Sequence, residues 1–297
     1  MTATVRDVMA VLEAAYPAAL AESWDAVGLV CGDPAEPVRR VLVAVDPVGE
    51  TVAEALEQEA QLLVTHHPLL LRGVHGVPAD DPKGALVHRL VRAGVALFCA
   101  HTNADSADPG VSDALADALG LQVTGPLSAR PADPHELAGV PSCSGLSSST
   151  GRSSFIGLGR IGELPHAESL RAFTARVRDA LPPTAWGVRA AGDPHRPVRT
   201  VAVCGGAGDS LLAEAQRAGV DAFVTADLRH HPASEYLAAA GPALVDVAHW
   251  ASEHPWCAQA ASVLSAALGG TVDVRVSHRR TDPWTIGSAE ASGRSPR

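Results

Sequence analysis

Two adjacent histidines, His66 and His67, close the apolar run Leu62-Leu63-Val64-Thr65, and Pro68 comes directly after them. Neighbouring side chains on an extended strand diverge. At a strand's C-terminal end, however, the backbone can turn and aim both imidazoles into one crevice, which is where α/β sheets place ligands. Two further spacings carry donors: His101 is followed four positions later by Asp105, and His249 by Glu253. His-x-x-x-Asp/Glu puts a nitrogen and an oxygen donor on one face once the chain turns helical. Imidazoles combined with carboxylates suit Zn, Fe, Mn or Co rather than calcium. A carboxylate can bridge two ions, and two ions about 3.5–4 Å apart can share a hydroxide and hold it ionised near neutral pH. The chemistry these donors permit is a two-metal hydrolytic centre, expected in the crevice between two halves of the chain.

The elements that must position these donors read as α/β. Residues 5–20 form an amphipathic stripe through Val5, Val8, Leu12 and Ala15. Residues 24–29 turn into a short strand, and strands are expected at 40–45, 61–65 and 95–100, with helices at 51–60, 83–93 and 111–119. A Ser-, Pro- and Gly-rich stretch, 125–154, reads as a surface linker and domain boundary. Beyond it come strands at 155–161, 200–204, 222–225, 244–248 and 271–276. Helices are expected at 168–181, at 210–218 with Asp209 as N-cap, and at 255–268. The tail 287–297 is small and polar and reads as disordered.

The halves repeat. Val41-Leu42-Val43 precedes Val201-Ala202-Val203 by 160 positions, as Val64-Thr65 precedes Val224-Thr225. His66-His67-Pro68 has a later counterpart in His230-His231-Pro232, and the strand leading to His101 has one leading to His249. The ordered set implies a duplicated α/β unit with its functional edge at the strand C-termini. The expected fold is therefore two similar three-layer α/β domains from an internal duplication. Residues 1–124 with 249–286 form the first, and 125–248, opening with the Ser-rich loop, the second.

Composition narrows the function classes. The chain has 297 residues, a formal charge of −10 and no apolar run of membrane-spanning length. An extended nucleic-acid surface and a membrane partner are not expected. Five scattered cysteines without CxxC spacing disfavour a disulfide framework or thiolate zinc knuckle, and a reducing cytoplasm fits best. Cys99 and Cys204 lie inside apolar strands and read as buried small hydrophobes. His230 and His231 read as a solvated helix start, and Gly205-Gly206-Ala207-Gly208 as a plain glycine-rich turn without P-loop residues.

Taken together, Trp24-Asp-Ala-Val-Gly-Leu29, Thr65-His-His-Pro-Leu69, Ala100-His-Thr-Asn-Ala-Asp105 and His249 with Glu253 carry a resemblance. Gly110-Val-Ser-Asp-Ala-Leu115, Gly157-Leu-Gly-Arg-Ile-Gly162 and Asp221-Ala-Phe-Val-Thr225 extend it over roughly residues 5 to 276. The chain resembles the Ngg-interacting-factor-like family of dinuclear metal-centre hexameric proteins, the GTP cyclohydrolase 1 type 2 homologues. The resemblance implies a toroidal homohexamer with two divalent metal ions per subunit, zinc, iron or manganese. It implies the ligands His66, His67, Asp105, His249 and Glu253, with Glu253 bridging, and for His101, the catalytic candidate, a place behind the ligands or on the substrate side. Ala26 departs from the Asn usual after Trp-Asp in that family. The middle region is too short for the extra domain of the longest members.

These residues support two functions. One is a metal-dependent hydrolase of a small, nucleotide-like substrate, a GTP cyclohydrolase-like one by resemblance, in which a metal-bridging hydroxide attacks a ring carbon. There His101 or His249 would manage the proton. The other is a non-catalytic metal-binding ring that stores or delivers ions or serves as a protein-interaction scaffold. An open coordination position separates the two.

Overall fold

The computed structural model describes residues 2–130 and 155–287. Most of the Ser-rich stretch, 131–154, and the tail 288–297 lie outside the described residues. In chain order the first elements are α1 (Val5–Ala15), β1 (Gly28–Cys31), β2 (Arg40–Ala44), α2 (Gly49–Glu57), β3 (Leu62–Thr65), α3 (Pro82–Arg92), β4 (Ala96–Cys99), α4 (Thr102–Ser106), α5 (Val111–Ala118) and β5 (Gln122–Ala129). Then come β6 (Gly157–Ser169), α6 (Leu170–Ala180), β7 (Val188–Ala191), β8 (Pro197–Ala207), α7 (Leu212–Ala218), β9 (Ala222–Ala226), α8 (His230–Ala238), β10 (Ala243–Val247), α9 (His249–Leu268) and β11 (Asp273–Val276).

These residues fall into two compact units, 2–110 with 257–281, and 111–130 with 155–256 and 282–287. The sequence reading divides the chain at 124 and 249 instead, so 111–124, 249–256 and 282–286 fall in the second unit here.

The first unit holds a five-stranded sheet in the order β1-β4-β3-β2-β11. β11, β2, β3 and β4 run parallel, and β1 pairs antiparallel with β4. Every residue of β3 and β4 is buried, which explains why they read as unbroken apolar runs rather than alternating ones. Leu42, Leu63 and Leu97 pack beneath Val52 and Ala55 of α2 and Leu90 of α3. α1 is fixed at its start by a capping box, Thr4 and Asp7 satisfying each other's backbone N–H groups.

The second unit holds a six-stranded sheet, β5-β6-β8-β9-β10-β7, with β8, β9 and β10 parallel and the outer strands antiparallel. Its core joins Ala202, Phe223 and Leu244 to Leu212, Ala215 and Tyr236.

Each unit runs helix, strand, strand, helix, strand, helix, strand, helix: α1 to α4 in the first, α6 to α9 in the second. In each, the first strand of the series pairs antiparallel with the last. Local devices recur at the same 160-residue offset. Gln61 Oε1 accepts the backbone N–H groups of Arg39 and Arg40 at 2.9 and 3.0 Å, and Asp221 Oδ2 accepts those of Arg199 and Thr200 at 2.9 and 2.8 Å. Gly32 and Gly192 both adopt positive φ, 109° and 138°, against Ala96 and Ala243. These matches are consistent with duplication.

Several expectations need correction. Residues 122–129 form β5 rather than the start of a linker, and β7 stands where the sequence shows no strand signal. Asp209 does not cap α7. It opens a short 3-10 turn and pairs with Arg229 at 2.6 Å. α9 begins at His249, six residues before the expected 255, and carries Pro255 inside it. The second His-His-Pro opens α8 after a turn, so it does not match the strand-end position of the first. No described helix is long and apolar enough to cross a membrane.

Candidate metal centre

In the first unit, β3 ends at Thr65 and delivers His66 and His67, while β4 ends at Cys99 and delivers His101 at the start of α4. The strands are adjacent and parallel, with Thr65 opposite Cys99, so the three imidazoles converge at one sheet edge. Their ring centroids lie 5.1 to 5.6 Å apart, and one nitrogen from each ring falls within 4.8 Å of the others. This group could hold a metal ion.

The orientation of each ring is set from behind. His66 Nδ1 lies 2.9 Å from the carbonyl oxygen of Ala100. A carbonyl only accepts, so Nδ1 carries the proton, and a neutral ring keeps its lone pair on Nε2. That Nε2 faces Asp105 Oδ1 at 3.6 Å, and a cation between the two atoms would be favoured there. His67 Nδ1 lies 2.6 Å from Asp46 Oδ1, and Asp46 is itself held by the Thr281 hydroxyl. His101 Nδ1 lies 2.8 Å from Asp25 Oδ1, whose carboxylate is fully buried. Asp25 also accepts the backbone N–H of Thr102 at 3.0 Å and the Thr102 hydroxyl.

Burial acts to raise the Asp25 pKa, but hydrogen bonds from His101 and Thr102 override it and hold the carboxyl below its usual value. Burial and the neighbouring His66 depress His101, against the pull of Asp25. The depressed value favours a neutral ring, the form that a metal or a proton can use.

In the second unit, His249 opens α9 and Glu253 stands one turn later, with His249 Nε2 3.0 Å from Glu253 Oε1. His249 Nδ1 lies 2.7 Å from Asp227 Oδ2. Asp227 stands just past the end of β9 with φ +57°, a left-handed conformation uncommon for a non-glycine residue. Burial would lower the His249 pKa, but the carboxylates of Glu253 and Asp227 raise it to about 11. A ring caught between two carboxylates sits where positive charge is favoured, and a metal ion meets the same demand.

Gly205 and Gly206, expected in a turn, instead lie at the end of β8, where the register to β9 shifts, and Gly206 has a packing reason as well as a bending one. Gly206 has φ +68°, and a Cβ there would stand 2.4 Å from Glu253 Oε1 and 3.2 Å from His249 Nε2. Gly206 N donates to Ser252 Oγ at 2.8 Å, and Thr225 Oγ1 donates to the Gly206 carbonyl at 3.0 Å.

Of the expected ligands, His66, His67 and Asp105 thus gather in the first unit with His101, and His249 and Glu253 gather in the second. His230 and His231 are exposed on α8, as expected. Sequence reasoning missed Asp25, Asp46, Asp227 and Gly206. The 160-residue offset offered one signal, because it pairs His67 with Asp227 rather than with either later histidine of the His-His-Pro motif.

The donor set fits divalent metal on the chemistry of its atoms. All four histidines present Nε2 forward while Nδ1 meets a carbonyl or carboxylate behind, the arrangement found around metal-ligating imidazoles. The Duf34/NIF3 (NGG1p interacting factor 3) family model matches residues 3–283. The chain is 53% identical to a GTP cyclohydrolase 1 type 2 homolog of Streptomyces coelicolor, covering 96% of this chain and 95% of that one. It is 45% identical to the protein of that name in Mycobacterium tuberculosis, covering 96% of this chain and 98% of the relative. A solved structure of the Staphylococcus aureus hypothetical protein SA1388 superposes with a TM-score of 0.79 at 28% identity, covering 96% of this chain and all of that one. With a sheet-edge histidine group of this geometry and a family match over almost its whole length, the chain belongs to the Duf34/NIF3 family.

Proposed function

We propose that this protein binds two divalent metal ions through His66, His67, Asp105, His249 and Glu253 and hydrolyses a small, nucleotide-like substrate. The observation that carries the reading is the shared orientation of the histidines. Each is held through Nδ1, so Nε2 is the atom each would turn to a metal, with His249 Nε2 set beside the Glu253 carboxylate that would share the ion. When bound, the metals supply Lewis acidity and an acidified water for attack on an electrophilic carbon.

The chain's own residues do the rest. Asp46, Asp227 and the Ala100 carbonyl hold the ligand rings in one orientation. His101, outside the ligand set, keeps Nε2 available to take or return a proton while Asp25 holds Nδ1. The GTP cyclohydrolase 1 type 2 homolog name of the relatives points toward a nucleotide. A homohexamer belongs to the same reading, and sedimentation of the purified chain tests it.

The deciding experiment measures metal per subunit on untagged wild type and on Glu253→Ala. About two equivalents, falling sharply in the variant, is the outcome expected of a two-metal centre. No stoichiometric metal in the wild type sinks the proposal. Full metal retention in His101→Ala with loss of turnover favours hydrolysis. Unchanged behaviour of that variant favours ion storage.

A further inference from the structure

Trp24 is 58% exposed although it stands beside the imidazole group. Its ring centroid lies 6.1 Å from that of His101 with 78° between the planes, so His101 does not stack on it and indole surface stays open to solvent.

This exposure does not come from a frayed loop. Asp25 N donates to the Glu22 carbonyl at 3.0 Å, and Glu22 N donates to Thr102 Oγ1 at 2.9 Å. The Asp25 carboxylate accepts from Ala26 N at 2.7 Å as well as from His101 and Thr102. The segment carrying Trp24 is thereby pinned to the segment carrying His101. A large apolar ring exposed on a pinned backbone, next to a donor group, is kept for a ligand more readily than for packing.

Its surroundings select the ligand. Glu22 and Ser23 precede Trp24 in the chain and the His101 ring meets its edge, whereas the core of a subunit interface is depleted of charged residues. Amphipathic planar ligands suit such a wall, with a ring face on the aromatic and polar atoms at the edge. Divalent cations beside it would repel a cationic occupant.

The geometry points to Trp24 as the stacking face for a planar heteroaromatic ring of the substrate, with the ring's polar edge turned toward His101. This inference deepens the metal-centre reading and assigns a substrate class to it.

The test uses full-length, metal-loaded protein and guanosine, adenosine, uridine and free ribose as probes, with binding read by quenching of tryptophan emission and by calorimetry. Wild type should bind at least one nucleoside and not ribose. Trp24→Phe should keep that affinity within a few-fold. Trp24→Leu should weaken it about tenfold or more, the effect of losing one base–aromatic stack. Metal content should be equal in all three proteins.

Equal affinity in Trp24→Leu, or no binding of any nucleoside, overturns the inference. So does a Trp24→Leu variant whose only defect is a lower sedimentation mass, because the indole would then be covered by a second copy of the chain. Metal content distinguishes this failure from that of the function itself. A wild type without metal sinks the hydrolase reading, while nucleoside quenching in that protein still scores the stack.

Discussion

Asp227 Oδ2 accepts a hydrogen bond from His249 Nδ1 at 2.7 Å, and it does so from the position where the first unit carries His67. In the first unit the corresponding orienting work falls to Asp25 behind His101 and to Asp46 behind His67. Each carboxylate keeps an imidazole from spinning and strengthens its outward nitrogen as a donor.

Asp46→Asn should therefore reduce metal affinity by about 10- to 100-fold while leaving the fold intact. Equilibrium dialysis against zinc, with circular dichroism as the fold control, checks this. Wild-type affinity in the variant would show that His67 needs no partner behind it.

Gly206→Ala should be costly for two reasons acting together. The residue sits at φ +68°, and its new methyl would meet Glu253 Oε1 at 2.4 Å. Backbone strain of this kind costs of order 1–3 kcal/mol. A lowered melting temperature together with a loss of bound metal is expected. A stable variant with full metal content would mean that the end of β8 relaxes without moving Glu253.

Arg160 on β6 is fully buried and grips Asp113 of α5 through two contacts, at 2.9 and 2.7 Å, while donating to the carbonyls of Gly157 and Gly159. Asp113→Ala leaves that guanidinium without its counter-charge in the interior. The expected loss is about 3–5 kcal/mol, read by urea denaturation. A loss below about 1 kcal/mol would show that water reaches Arg160 in the variant.

Stability should fall in acid partly through Asp221. Burial would raise its pKa, but the N–H groups of Thr200 and Arg199 and the Thr200 hydroxyl outweigh that and lower it from 3.8. A carboxyl whose folded pKa is depressed contributes stability above its unfolded value, and that contribution fades as pH drops through the folded one. The stability gap between wild type and Asp221→Asn should thus be widest near neutrality and should close below about pH 3.8. A gap constant with pH would refute the assignment. Gln61 makes the matching pair of bonds in the first unit without a charge, so Gln61→Ala should show no such acid dependence.

Much of the centre was legible because its signals are local. A run such as Leu62-Leu63-Val64-Thr65 has to be a buried strand, and the two histidines after it have to lie at the sheet edge. His249 and Glu253 share a helix face by spacing alone. Other features depend on distant partners. Asp25 and His101 lie 76 positions apart, and nothing near Asp25 announces the imidazole it will meet. β7 is an edge strand, half-exposed, with Arg189 in it, and so shows no apolar period. β5 contains Gly125 and Pro126, which read as loop residues unless an edge position is known in advance. Pro255 suggested a helix start by its usual place at a first turn, whereas here it interrupts a helix already under way.

The exchange of His67 for Asp227 at corresponding positions has an evolutionary consequence. Two identical copies of one unit would have presented the same side chain twice. On a duplication origin, divergence at this place, with an imidazole in one half and a carboxylate in the other, would make the halves specialised and no longer interchangeable. A gene fission that separated them, or a recombination that replaced either half with a second copy of its sibling, would discard part of the proposed donor set. Selection on the proposed chemistry would therefore hold the two halves in one reading frame.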